Sequence, residues 1–94
     1  MNIKDKHSED KKVSLVPLFK GSEGTVSSMH LVKDGELPPH ITKVPALLTC
    51  VFGKAVYLTA SIKETLNPGD YVEIEPMVEH WINGIEDSYL LLIK

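Results

Sequence analysis

Ninety-four residues with a formal net charge of −3 suffice for one domain and leave no room for a second. All ten basic residues are lysines, and a chain without arginine lacks the bidentate side chain that suits phosphate and guanine, which argues against nucleic acid as a partner. The longest apolar run, Tyr89–Ile93, is far too short to span a bilayer, so we expect no membrane partner either.

The first twelve residues predict a flexible N-terminal arm. They mix Lys, Asp, Glu and Ser with a single apolar residue after Met1, which is Ile3, so they cannot bury enough surface to order themselves. The arm also lacks the apolar core of a signal peptide. Cys50, the only cysteine, lies in an apolar run and is interpreted as a small buried hydrophobe, with no disulfide. These features predict a cytoplasmic protein.

From Val13 onward, short β-type runs alternate with turn residues. Val13–Phe19 is the first candidate strand, and Pro17 inside it predicts an edge position because proline cannot donate to a ladder. Thr25–Lys33 alternates, which places Met29 and Leu31 on one face and residues such as Ser28 and His30 on the other.

The second half of the chain continues the same pattern. Ala46–Phe52 is nearly all apolar and predicts a strand covered on both faces. Asn67–Asp70 is a strong turn signal, and Tyr71–Glu75 alternates with Val72 and Ile74 as the inward pair. The other candidate strands are Ala55–Thr59, Ile62–Leu66, His80–Asn83 and Tyr89–Ile93. Eight short strands, with no helical stripe of ten residues, predict a sandwich or barrel.

Two histidines stand beside these strands. Pro38 and Pro39 lead in extended backbone to His40, and the Gly69-Asp70 turn opens the strand that leads to His80. With these residues in place, the chain resembles the small single-domain cupins over about Val26 to Ile93. The residues that fit the family's first motif are Gly35, His40 and Gly53, and those that fit its second motif are Gly69, Asp70 and His80.

The resemblance implies an all-β jelly-roll β-barrel, a single cupin-like domain over residues 13–94. It also implies a metal site made of three histidines and one glutamate. In this chain Thr42 stands in place of the second histidine, Ala46 in place of the glutamate, and Met77 in place of the second motif's second glycine. Two of the four ligand positions therefore match, those of His40 and His80.

We expect His40 and His80 to line a ligand site at the mouth of the barrel. The large aromatic residues Tyr57 and Phe52 are expected to line the same cavity, although they could equally fill the core or a dimer seam. Imidazole suits divalent transition metals such as zinc, iron, nickel or copper, so His40 and His80 are also candidate metal ligands.

A catalytic zinc site normally has three protein ligands, so a metal here requires a third. His30, Glu75 and Glu79 are the candidates for it. For His40 and His80 the competing interpretation is structural: a buried barrel histidine that is hydrogen-bonded to backbone or to a neighbouring side chain. For His30 the structural interpretation is the favoured one.

Three functions follow as hypotheses. The first is a stand-alone cupin that binds a small polar molecule at the barrel mouth, either with or without a divalent metal, since a pocket needs only a few convergent polar groups. The alternative is a metal-dependent enzyme of the dioxygenase or isomerase type. The third is an interaction protein with a fully packed barrel. A chain this short buries only about 60–65% of its unfolded surface, so a homodimer is expected in each case.

Overall fold

Nine antiparallel strands in two facing sheets form the fold of the computed structural model, which describes residues 1–94. The strands are β1 (Val13–Lys20), β2 (Thr25–Leu31), β3 (Glu36–His40), β4 (Ala46–Phe52), β5 (Ala55–Leu58), β6 (Lys63–Leu66), β7 (Tyr71–Ile74), β8 (His80–Gly84) and β9 (Ser88–Ile93). The five-stranded sheet has the order β1-β2-β9-β4-β7 and the four-stranded sheet the order β3-β8-β5-β6. The all-β jelly-roll prediction is confirmed, although the two sheets are not hydrogen-bonded into one closed ring.

The core lies between the inward faces of the two sheets. In β2 the inward pair is Met29 and Leu31, as the alternation predicts, and in β7 it is Val72 and Ile74. Because successive strand residues point to opposite faces, each strand contributes every second residue to the interior. The buried cluster consists of Met29, Leu31, Ala46, Leu48, Cys50, Ala55, Tyr57, Leu66, Ile74, Ile82, Leu90 and Leu92.

Strand β4 corrects one expectation. The apolar run Ala46–Phe52 predicts a strand covered on both faces, but only Ala46, Leu48 and Cys50 are buried. Leu47 and Thr49 are half-buried and Phe52 is exposed, because no second layer of the chain covers the whole outer face of this sheet. Buried and partly exposed residues therefore alternate along β4, as in a strand with one covered face. The sequence does not reveal this alternation because the residues on the outer face are also apolar.

Three prolines lie in the edge strands of the two sheets. Pro17 lies in β1, which is an edge strand as predicted, and the register shifts between Pro17 and Phe19. The unpredicted ninth strand, β3, contains Pro38 and Pro39 and is also an edge strand, where the missing N–H groups cost no ladder bond. The extended backbone before His40 is thus part of a sheet.

The N-terminal arm is docked on the five-stranded sheet, which composition alone does not predict. Residues Ile3–Lys6 form one 3₁₀ turn, and the imidazole of His7 is hydrogen-bonded to the hydroxyls of Ser14 and Ser28. These contacts give the arm a defined position on the sheet, and the flexibility of residues 1–12 stays a prediction. The structure contains no helix with the length and apolar character needed to cross a bilayer.

Candidate functional site

His40 and His80 stand directly opposite each other where β3 pairs with β8. Their ring centroids are 4.2 Å apart and their planes are tilted by 60°. The His80 residue is only 1% exposed, whereas His40 is half-buried at the end of its strand. Two side chains forty positions apart in the sequence are therefore neighbours at one end of the fold.

The backbone fixes the tautomer of both rings. Nδ1 of His40 donates to the carbonyl of Pro38 at 3.0 Å, and Nδ1 of His80 donates to the carbonyl of Val78 at 3.0 Å. Since a neutral imidazole carries one N–H and one lone pair, Nε2 of each ring is then an acceptor. No group of the chain is hydrogen-bonded to either Nε2 atom. The site thus presents two neighbouring acceptors, each oriented by a carbonyl two residues upstream.

Burial keeps His80 in its neutral form. Removal from water lowers the pKa of His80 below its usual value, and the adjacent His40 lowers it further. At neutral pH the buried ring is therefore an acceptor through Nε2 and not a cation. An anionic ligand would find no fixed positive charge on His80.

Tyr57 adds a phenol to this end of the molecule. It is 3% exposed, and its ring centroid is 5.6 Å from that of His80. Burial, followed by the nearby negative charge of Glu75, raises the pKa of Tyr57, so its hydroxyl stays protonated. The expectation that Tyr57 lies with the histidines agrees with this geometry.

Phe52 does not belong to this group, contrary to expectation. It is 46% exposed on the outer side of the five-stranded sheet, with its ring centroid 6.1 Å from that of Tyr89. The ammonium of Lys4 lies 4.0 Å above its ring. A register shift between Cys50 and Phe52 ends the regular alternation of β4 at this point, which the sequence pattern does not reveal.

The residues present do not complete the metal site that the resemblance implies. No three His, Cys, Asp or Glu side chains are grouped so that they could hold a metal ion. Ala46, at the position of the family's glutamate, is part of the apolar core, and the buried hydroxyl of Thr42 donates to the carbonyl of Val44 at 3.0 Å. Two imidazoles are fewer than the three protein ligands of a usual catalytic zinc site.

None of the candidates for a third ligand belongs to a group of three side chains that could hold a metal ion. His30 lies on β2 in the five-stranded sheet, where its Nε2 contacts Asp87 Oδ1 at 2.7 Å and its ring stacks on Tyr89. Glu75 is exposed just after β7 and acts on Tyr57 through its charge.

A second polar cluster was not predicted. His7, His30, Asp87 and Tyr89 meet on the outer face of the five-stranded sheet, together with the hydroxyls of Ser14 and Ser28. The alternation of β2 places His30 and Ser28 on this face, but the contact with His7 is a tertiary contact of the arm. We call these residues the outer-face cluster.

Solved structures with the same fold support the cupin architecture. A cupin superfamily protein from Desulfitobacterium hafniense is 18% identical, with a TM-score of 0.83, over 94% of this chain and 81% of that one. A cupin-2 domain protein from Shewanella frigidimarina is 18% identical, with a TM-score of 0.82, over 100% of this chain and 92% of that one. KdgF from a Halomonas species is 15% identical, with a TM-score of 0.80, over 93% and 81% of the two chains.

At these identities the likeness shows the fold and nothing of the ligand. No family model matches the sequence, and no curated protein is significantly similar to it. The chain has the cupin fold.

Proposed function

From the cupin fold and its paired histidines, we propose that this protein binds a small polar molecule at one end of the jelly roll, against the Nε2 atoms of His40 and His80. The observation that carries the proposal is the pair of Nε2 acceptors, held on rings 4.2 Å apart by backbone bonds to Nδ1. Preorganised polar groups in a largely apolar surrounding are typical of small-molecule sites.

The protonation states select the chemical class of the ligand. The neutral ring of His80 offers Nε2 as an acceptor, His40 offers Nε2 because its Nδ1 donates to Pro38, and the protonated hydroxyl of Tyr57 offers a donor. A molecule with two neighbouring hydroxyl or amine hydrogens would satisfy both rings, and its own oxygen could accept from Tyr57. We therefore propose a polyol, a sugar or an amino alcohol in preference to a carboxylate or phosphate.

The proposal includes a cytoplasmic homodimer. Cys50 is a single buried thiol, which suits a reducing compartment. Large apolar side chains remain exposed on the five-stranded sheet, among them Phe19 at 64% and Tyr71 at 61%. A second copy would cover part of this surface and add to the small core of a 94-residue chain.

Imidazole ¹⁵N resonances provide the direct test of the binding site. A panel of glycerol, erythritol, glucose and ethanolamine is added to tag-free protein, and the Nε2 resonances of His40, His80 and His30 are followed. We expect saturable shifts at His40 and His80 with at least one compound, while His30 serves as an internal control because it lies on the other sheet. Shifts that are absent for every compound, or equal at His30, would refute the proposal.

The metal content of the protein distinguishes a metal-free binding protein from a metal-dependent enzyme. Tag-free protein prepared with zinc, iron, nickel and manganese present is analysed for bound metal, with His40→Ala and His80→Ala as variants. We expect no stoichiometric metal in any of the three. One equivalent of metal in the wild type that is lost in both variants would instead support the metal-dependent enzyme.

A further inference from the structure

The outer-face cluster lies across three neighbouring strands of the five-stranded sheet, and Phe52 on β4 lies beside it. The strand register places Ser14 opposite His30, His30 opposite Tyr89, and Tyr89 opposite Phe52. These side chains form one row on β1, β2, β9 and β4, on the face opposite the buried Met29, Leu31 and Leu90. The row is a path that a short peptide segment can follow across the sheet.

The N-terminal arm follows this path. Nδ1 of His7 is 2.8 Å from Ser14 Oγ and Nε2 is 2.9 Å from Ser28 Oγ, so both ring nitrogens are bonded to the sheet. The His7 ring lies 5.6 Å from His30 and 5.8 Å from Tyr89. Three residues earlier, the Lys4 ammonium is 4.0 Å from the centre of the Phe52 ring. One imidazole and one cation–π contact thus hold the arm at two points.

We propose that the arm is an acid-released latch, in which neutral His7 holds residues 1–12 across the outer face and protonation of His7 shifts the docking equilibrium toward the free arm. Release would uncover Tyr89 and Phe52 on the sheet surface. The inference is independent of the ligand site, because His40 and His80 lie at the other sheet and make none of these contacts.

The groups around His7 determine whether acid weakens or strengthens docking of the arm. β1 and β2 contribute the neutral hydroxyls of Ser14 and Ser28, and β2 also contributes His30, whose Nε2 is paired with Asp87. β9 contributes Tyr89, whose pKa is raised by burial and by Asp87 and Glu9. Lys4 of the arm adds a further positive charge. Partial burial lowers the pKa of His7, and repulsion from His30 lowers it further.

The docked arm therefore binds a proton less readily than the free arm. Docking is at full strength above the ordinary histidine pKa of about 6.5 and weakens as the pH falls through that value. While the free arm is protonated and the docked arm is not, the docking equilibrium constant falls tenfold for each pH unit. Below the lowered pKa of docked His7, the docking equilibrium constant no longer falls with pH, because both forms of the arm are then protonated.

NMR on the full chain tests the latch between pH 8 and pH 5. The ε-methylene protons of Lys4 should be shifted upfield by the Phe52 ring at pH 8, and this shift should disappear on acidification. The methyl resonances of Leu90, which is fully buried, report whether the fold itself persists. The matched variant is His7→Asn, whose amide can both donate and accept but does not titrate. Its Lys4 shift should not depend on pH.

Three results would overturn the latch. The Lys4 shift could persist at pH 5 with the core intact, it could be absent at every pH, or His7→Asn could show the same pH dependence as the wild type. The last result would mean that His30 and Asp87, and not His7, cause the pH-dependent change in the Lys4 shift.

Discussion

The backbone N–H of Met77 donates to the carbonyl of Thr42 at 2.8 Å. This bond joins the loop that leads into His80 to the loop that follows His40, so the two histidine-bearing segments are tied together beside the candidate site. Met77 achieves it with a φ of 65°, in the left-handed region that bulky residues rarely adopt. It is also the position at which the cupin motif has a glycine, and the backbone conformation explains that preference.

Met77→Gly should stabilise the protein. The left-handed conformation costs a non-glycine residue about 1–2 kcal/mol, and the greater flexibility of glycine in the unfolded chain offsets about half of the gain. We expect the free energy of unfolding in urea to rise by up to about 1 kcal/mol. Glu79→Gly, in the same loop but without a positive φ, is the control and should be neutral or destabilising. A loss of stability in Met77→Gly would contradict the strain argument.

Gly53→Ala should be strongly destabilising. Gly53 has a φ of 84°, and a Cβ there would lie 2.2 Å from the carbonyl oxygen of Asp87. We expect a loss of roughly 2–4 kcal/mol, from backbone strain together with displacement of the segment before β9. Gly69→Ala is the matched control, since its φ is 96° but nothing lies within 4 Å of its Cβ position. It should cost only the conformational strain, about 1–2 kcal/mol. Equal losses would show that the contact with Asp87 is unimportant.

Acid should destabilise the fold through His80. The pKa of His80 is lowered in the native state, so the unfolded chain binds more protons below the ordinary histidine pKa. The stabilising effect is complete above about pH 6.5 and is lost as the pH falls, at a rate of at most about 1.4 kcal/mol per pH unit for one group. Urea denaturation at pH 7.5, 6.5, 5.5 and 5.0 measures this change in the free energy of unfolding.

His7 contributes to stability with the same sign, so the measurement is best made in the His7→Asn background. The comparison protein is His7→Asn combined with His80→Asn, in which the asparagine amide can still donate to the Val78 carbonyl. Its stability should vary less with pH over this range. A slope unchanged by the second substitution would mean that another group carries the effect.

Cys50 should be chemically inert in the native protein. The residue is 1% exposed, and burial raises the pKa of its thiol, which removes the reactive thiolate. Reaction with a disulfide reagent such as DTNB at pH 8 should proceed at the rate of unfolding, and rapidly in 6 M guanidinium chloride. Rapid, complete labelling of the native protein would contradict the buried placement. A Ser88→Cys variant is unsuitable as a control, since Ser88 is itself buried, whereas Ser61→Cys, on an exposed turn, should react at once.

The sequence pattern located most strands because local chemistry determines them. Turn residues such as Asn67–Asp70 and Gly53 have few alternative conformations, and the alternation in β2 and β7 indicates which residues point inward. The sequence pattern failed where the burial of a residue depends on whether another part of the chain covers the outer face of its sheet. The apolar outer face of β4 looks the same in sequence whether or not another part of the chain covers it.

The residues of the candidate site also fall into those that the sequence located and those that it misplaced. Motif spacing singled out His40 and His80, and the structure brings their rings together. The placements of Phe52, His30 and Glu75 depend on register shifts and on which sheet each strand joins, and neither is encoded locally. His7 is the extreme case, since its partners lie 7 and 21 residues away and its own segment has no pattern at all.

By itself, the sequence determined an all-β chain, because turn chemistry and two-residue periodicity are properties of neighbouring residues. Its resemblance to the cupins assigned the two histidine motifs to one fold. Only the tertiary structure decided which tautomer each imidazole adopts, that the metal ligand set is incomplete, and that the arm is anchored on the sheet. These outcomes depend on carbonyls, hydroxyls and rings that meet across strands, where small differences in register decide which groups come within hydrogen-bonding distance.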